Sequence, residues 1–264
     1  MERFTFTPSF VDSRVFEPKD NKAQEKMTSS VSFITGTDYL SPQNIKFCKP
    51  LFLQALMATP FGVKINVVVN PDKRCCYDPD TSSIVIQPER TDSSKKSQED
   101  NAESLSTLCH ELSHARDHLV LRTVDTDTVA DCRGGVQELD KFKKVYKTEF
   151  KAWMVEALQS KLSKTTSMRM SHLIKSIEGG YVGALTDKNN LIRIRILAYA
   201  KDMDLPETWG PEKIVEKTKL AEPLKAGMNL VNSINNQDSS DPIEVTTPEQ
   251  AQKVITMLDT IFDV

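Results

Sequence analysis

Two histidines and a glutamate in one short segment are the residues of this chain best suited to chemistry. They form the pattern His-Glu-x-x-His over His110, Glu111 and His114. The surrounding residues lack proline and glycine and carry leucines at helical spacing, which predicts a helix over about 102–120. Residues four apart lie on one face of a helix, so both imidazoles can reach one metal ion. The spacing therefore predicts a metal centre, with Glu111 beside it as a group that can take up a proton.

The motif and its predicted helix resemble the active-site helix of the zincins, a large group of zinc-dependent metallopeptidases. The resemblance implies one Zn²⁺ per chain, bound by His110 and His114, with Glu111 as the general base. Glu111 would take a proton from a zinc-activated water that attacks a peptide carbonyl. The resemblance also implies an α+β fold of zincin-like type. Such a fold has a small N-terminal β-sheet and the active-site helix, followed here by a mostly helical C-terminal half.

A catalytic zinc ion usually has a third protein ligand. His118 is excluded, because it lies about 12 Å along the helix axis from the first motif histidine. The gluzincins place a glutamate on a later helix, and Glu149 with Ala152 matches the Glu-x-x-Ala pattern of those helices. The resemblance therefore implies Glu149 as the third ligand, with Glu156 on the same helix face as the alternative. Two further alternatives are Glu138 and Asp131.

Zincins also use residues that support the metal ligands and the transition state. A second hydrogen-bond donor normally stabilises the oxyanion, and it is often Tyr, His or Arg. The candidates in this chain are Tyr146, Tyr181 and His172. Asp117 follows the second motif histidine by three residues and is a candidate for orienting a ligand from behind.

The strands that would position the motif can be predicted from runs of β-branched residues. Such runs over residues 63–69 and 83–87 are separated by turn residues, and we expect the two strands to form a hairpin. Zincins pair an extended substrate with an edge strand that precedes the active-site helix. The resemblance gives this role to Ile84, Val85 and Ile86; a purely structural strand is the alternative.

The remaining pattern predicts helices and a division of the chain. Helices are expected over residues 43–58, 136–163, 168–178 and 189–203. A last helix starts at Pro248, and its expected buried face carries Val254, Ile255, Leu258, Ile261 and Phe262. Residues 1–35 are polar and are expected to be flexible. We expect one zincin-like domain over 36–264, with the sheet, motif helix and ligand helix in 36–165 and a helical subdomain in 166–264.

Composition excludes several classes of function. A net charge of −3 argues against nucleic-acid binding, and no apolar run approaches the twenty residues that membrane insertion needs. The N-terminus lacks the apolar core of a signal peptide. The five cysteines do not form a disulfide framework, so a reducing compartment is expected.

Together these features predict a zinc-dependent endopeptidase that acts on a protein substrate. The expected location is the cytoplasm or, if the chain is a secreted bacterial effector, the host cytosol, reached without a signal peptide. Two alternatives remain: a non-catalytic binding protein with the zincin fold, and a metal-dependent amide hydrolase of another substrate.

Overall fold

The structure is a computed structural model. It describes residues 2–6, 50–58, 65–69, 75–80, 83–86, 98–121, 136–163, 168–235 and 242–262.

Four short strands form one mixed sheet. They are β1 (Glu2–Phe6), β2 (Ile65–Val69), β3 (Cys76–Asp78) and β4 (Ser83–Ile86), and their order in the sheet is β1-β2-β4-β3. Strand β2 pairs antiparallel with β1 and parallel with β4, and β4 pairs antiparallel with β3. Ile84 and Val85 of β4 point to opposite faces, and both are buried. An uninterrupted apolar run of this kind is typical of an interior strand that is covered on both faces.

The predicted hairpin between the runs at 63–69 and 83–87 is wrong. The two strands are neighbours, but they run parallel, with Val67 opposite Ile84. A tight turn cannot join two parallel neighbours, because the chain must first return to the end of the sheet at which the first strand began. Strand β3 lies within that connection and forms the antiparallel pair with β4 instead, with Tyr77 opposite Ile84.

The predicted substrate edge strand, Ile84 to Ile86 with Val85 between them, is not an edge of the sheet. Strand β4 lies between β2 and β3, so the backbone groups on both of its sides face neighbouring strands. The edge of the sheet on this side is β3, which the sequence analysis did not predict.

The N-terminal segment is also corrected in part. Residues 1–35 were expected to be flexible, but Glu2–Phe6 forms β1 and pairs with β2 over five residues. Its alternating Phe and Thr residues suit an edge strand. The remainder of that segment lies outside the described residues.

Nine helices occur in the described ranges. They are α1 (Leu51–Ala58), α2 (Gln98–Arg116), α3 (Val136–Ser163), α4 (Met168–Glu178), α5 (Gly180–Thr186), α6 (Leu191–Asp202), α7 (Pro211–Thr218), α8 (Ala221–Asn235) and α9 (Pro248–Phe262). A π-helical turn, Asp117–Leu121, continues α2. None of these helices has both the length and the apolar character that crossing a membrane would require.

Several helix predictions are confirmed. Helix α3 has the predicted bounds, α4 has them as well, and α9 begins at Pro248. Of the face predicted for α9, four residues are buried and Ile261 is half-buried. The sequence analysis missed α5, α7 and α8, and the first part of its predicted helix over 43–58 lies outside the described residues.

Helix α3 lies at the centre of the fold. Phe142, Tyr146 and Phe150 recur every four residues along one face, and their rings stack on one another and are fully buried. The motif helix α2 packs against α3, and its Leu108 and Leu112 are buried in the core. The apolar spacing on both helices thus fixes their relative position, and this position brings their polar faces together.

A buried cluster of four charges joins α9 to these two helices. Lys151 of α3 is 2% exposed and contacts Asp117 after α2 and Asp259 of α9, the latter at 3.0 Å. Asp259 also accepts a hydrogen bond of 2.7 Å from Arg116. The two carboxylates and two cations balance one another, which is how charges are tolerated in a protein interior.

Candidate metal centre

The two motif histidines converge on one point. The Nε2 atoms of His110 and His114 lie 3.1 Å apart, one turn apart on α2. His110 is 8% exposed and His114 is half-buried. Two ring nitrogens directed at the same place from one helix face are what the His-Glu-x-x-His spacing predicts.

The carboxylate of Glu149 on α3 lies against both of these nitrogens, with a different oxygen facing each. Its Oε2 lies 3.6 Å from Nε2 of His110, and its Oε1 lies 3.4 Å from Nε2 of His114. Ligand atoms about 2.0–2.1 Å from a tetrahedral zinc ion are about 3.3 Å apart. The three observed separations bracket this value, so the donor set and its spacing fit a zinc ion.

Glu156 lies on the other side of His110. Its Oε2 is 3.2 Å from Nδ1 of His110, the ring nitrogen that faces away from the convergence point. Glu149 is therefore better placed than the alternative, Glu156, to act as the third ligand. A carboxylate beside Nδ1 can orient the ring of a metal-binding histidine from behind.

Charge around the histidines favours a cation. Burial by itself lowers the pKa of His110, but the carboxylates of Glu149 and Glu156 outweigh it and raise that pKa to about 10. Burial by itself raises the pKa of Glu149, but the positive charges of His114 and His110 lower it by more. The pKa of Glu149 is therefore well below the usual range. A site that stabilises a positive charge on His110 is electrostatically suited to a metal cation.

Glu111 faces the same region from α2. It is 7% exposed, and one of its carboxylate oxygens lies within 4.8 Å of ligand atoms on both histidines. Its Oε2 accepts a 2.7 Å hydrogen bond from the backbone N–H of Tyr77 on β3. Glu111 is therefore held by the sheet, whereas Glu149 lies against both Nε2 atoms.

The other acidic and histidine candidates occupy different places. Asp117 pairs with Lys151, and its negative charge also lies close enough to affect His114. The Nδ1 atom of His118 lies 2.9 Å from the hydroxyl oxygen of Tyr77. His118 is not part of the group formed by His110, Glu111 and His114. Glu138 lies about 16 Å before Glu149 along α3, too far for a shared ion. Asp131 lies outside the described residues.

None of the three predicted oxyanion donors is among the residues that line the site. Tyr146 is fully buried in the aromatic stack, and its hydroxyl donates to the carbonyl of Ile192 at 3.4 Å. The ammonium nitrogen of Lys225 lies over the ring of Tyr181, 4.9 Å from the ring centre. His172 is exposed on α4.

A cleft of about 760 Å³ opens over the candidate metal centre. One wall is a stripe of α3 that includes Glu149, Trp153 and Glu156. The rim opposite is formed by Cys75, Cys76, Tyr77 and Pro79, at and beside β3. Tyr199 and Arg195 of α6 and Arg169 of α4 complete the lining.

Sequence reasoning missed the residues that α4 and α6 contribute. Arg195 and Tyr199 lie four apart, on one face of α6, but that face has no pattern that distinguishes it from a solvated helix surface. A usable signal existed on α3, where Glu149, Trp153 and Glu156 recur at helical spacing. All three line the cleft.

Comparison of the chain with protein-family models, with curated proteins and with solved structures returned no match. The functional interpretation therefore rests on the geometry of the site.

Proposed function

We propose that this chain is a zinc-dependent endopeptidase that cleaves a protein substrate. The observation that supports this most is the convergence of His110, His114 and Glu149 at separations suited to zinc, with Glu111 beside them in an open cleft. The three residues would hold one Zn²⁺ per chain. When bound there, zinc supplies Lewis acidity, which makes water more acidic and a carbonyl carbon more electrophilic.

Glu111 is the proposed general base. It takes a proton from the attacking water as the water adds to the peptide carbonyl, and it then passes that proton to the leaving amine. The N–H of Tyr77 holds the carboxylate of Glu111 at its Oε2, so a single oxygen is oriented for proton transfer. Glu156 keeps His110 in one tautomer and orientation through the contact at Nδ1.

Tyr199 is the proposed donor to the oxyanion. It lines the cleft, and Glu149 lies close to it. Burial raises the pKa of the Tyr199 phenol, and the negative charge of Glu149 raises it further. The hydroxyl therefore stays protonated at neutral pH and can donate a hydrogen bond to the negative charge that develops on the carbonyl oxygen.

Two features of the described residues support a peptide substrate inside a reducing compartment. The short edge strand β3 lies along its rim, and a sheet edge can hold an extended chain by its backbone. Cys75, Cys76 and Cys109 are free thiols. A cytoplasmic location, or delivery of a bacterial effector to a host cytosol, is consistent with reduced thiols and belongs to the same proposal.

The proposal is tested by measuring zinc content and peptide cleavage together. Zinc-loaded protein is incubated with labelled casein and with a peptide library made by digesting a cell proteome, and new termini are identified by mass spectrometry. We expect cleavage that a chelator abolishes and added zinc restores. Glu111→Gln should lower the rate about 100-fold or more while retaining zinc, and Tyr199→Phe should lower it about 100-fold.

Wild-type protein that binds stoichiometric zinc but cleaves nothing in either substrate set would favour a binding protein over a peptidase. Unchanged cleavage by Glu111→Gln would remove the general-base role. Tyr181→Phe serves as the matched control for Tyr199→Phe, because Tyr181 does not line the cleft, and it should cleave at the wild-type rate.

A further inference from the structure

The end of the cleft that lies against α4 and α6 is positively charged. Arg195 of α6 is half-buried, and its guanidinium carbon lies 5.9 Å from the ring centre of Trp153. Arg169 of α4 lines the same cleft. A second, smaller hollow beside the cleft is lined by both arginines and by Trp153, so the two cations share one end of the site.

Arg195 has a permanent charge that the described residues do not neutralise. No carboxylate among them lies within 4.0 Å of its guanidinium, and the contact with Trp153 orients the group without balancing its charge. Arg169 reaches the carboxylate of Glu156 only at 4.0 Å and is half exposed. A half-buried arginine held on an aromatic ring in a cleft is positioned to bind a planar anion.

The negative groups of the cleft lie beside the histidines. Glu111 and Glu149 surround the point where the histidines converge, and a zinc ion there would offset their charge. Glu156 connects the two ends, since it contacts His110 at 3.2 Å and Arg169 at 4.0 Å. The arginine end is therefore adjacent to the reaction site, within the reach of a side chain or chain terminus next to the scissile bond.

We infer that Arg195, held on Trp153 and flanked by Arg169, forms a subsite that binds a carboxylate of the substrate. A guanidinium group can bind a carboxylate through two parallel N–H donors, which gives direction as well as affinity. The carboxylate is either an acidic side chain beside the scissile bond or the C-terminus of the substrate. That the carboxylate belongs to a peptide substrate rests on the proposed peptidase function, whereas the arrangement of the two arginines does not.

A titration with three small isosteric probes tests the subsite and separates the two sources of carboxylate. The probes are N-acetylglutamate α-amide, with a side-chain carboxylate, N-acetylglutamine, with a terminal carboxylate, and N-acetylglutamine amide, with neither. Zinc-loaded Glu111→Gln protein is used so that no probe is hydrolysed, and the titrations are repeated without added zinc. We expect one of the first two to bind about tenfold or more tightly than the neutral amide.

The preference should depend on Arg195. Arg195→Gln in the same background should reduce the ratio to about one, and Arg195→Lys, which keeps the charge, should restore part of it. Lys201→Gln is the matched control, because it removes one positive charge from an exposed position on the same helix, and it should keep the full ratio. Melting curves and zinc content show whether each variant keeps its fold and metal site, and Arg169→Gln gives an independent measure if Arg195→Gln does not fold.

The cleavage profile of the peptide library gives the second measurement. Wild-type protein should cut next to Asp or Glu, or close to C-termini, and Arg195→Gln should lose that enrichment. Equal affinity for all three probes, or a preference that survives Arg195→Gln and Arg169→Gln, would overturn the subsite. An absence of any cleavage together with an Arg195-dependent carboxylate preference would contradict the peptidase proposal and leave the subsite standing.

Discussion

Three carboxylates surround the two motif histidines, and each lies on a different side of them. Glu149 lies against both Nε2 atoms, Glu156 against Nδ1 of His110, and Glu111 against the N–H of Tyr77. Three similar groups can therefore have three different roles, as ligand, orienting partner and base. Substitutions at the three positions should separate these roles.

Zinc affinity should fall in the order that these positions imply. Glu149→Ala removes a ligand and should cause the largest loss, whereas Glu156→Gln should weaken binding about 10- to 100-fold by releasing the orientation of His110. Glu111→Gln should bind zinc about as well as the wild type does. Competition with a zinc-sensitive chelating dye measures all three, and Glu178→Ala, an exposed glutamate of α4, is the control. A larger loss from Glu111→Gln than from Glu149→Ala would exchange the two assignments.

At the residue scale, sequence predicted what depends on spacing along one helix. His110 and His114 are four apart on α2, and the resemblance to gluzincins singled out Glu149, so these three could be found without coordinates. Tyr199 and Arg195 could not be found in this way. They reach the cleft only because α6 packs against α3, and no local pattern encodes that packing.

At the scale of elements, the sequence predicted the existence of the strands better than their partners. Val67 and Ile84 lie in β-branched runs, which local preference detects. Their parallel pairing depends on the path of the chain through β3, a three-residue strand too short to give a periodic signal. The π-helical turn after α2 was missed for a similar reason, since it is stabilised by distant contacts such as that of Asp117 with Lys151.

The buried charge cluster should contribute more to stability than an exposed ion pair on the same helix. Lys151→Met leaves the buried carboxylate of Asp117 without its cation, and we expect the free energy of unfolding to fall by about 3 kcal/mol. Lys161→Met removes the exposed partner of Glu178 and should cost about 1 kcal/mol or less. Urea denaturation of both variants measures the difference. Equal losses would show that the cluster does not hold α9 against α2 and α3.

The candidate metal centre and the core share α3, and this would link metal binding to the stability of the whole molecule. One face of α3 has the buried stack of Phe142, Tyr146 and Phe150, and another has Glu149 and Glu156. Loss of the core packing would separate the carboxylates of α3 from the histidines of α2. A zinc ion held by both helices would therefore bind the folded chain and not the unfolded one.

Zinc should accordingly raise the melting temperature. A ligand present at a thousand times its Kd stabilises the folded state by about 4 kcal/mol, which for a chain of this size corresponds to about 10 °C. Differential scanning calorimetry of the metal-free protein, with and without added zinc, measures the shift, which a chelator should reverse. His114→Ala should show little of it, whereas His172→Ala, a substitution of an exposed histidine away from the cleft, should show all of it. An identical shift in His114→Ala and wild type would mean that zinc binds elsewhere on the chain, because the folded-state gain requires both motif histidines.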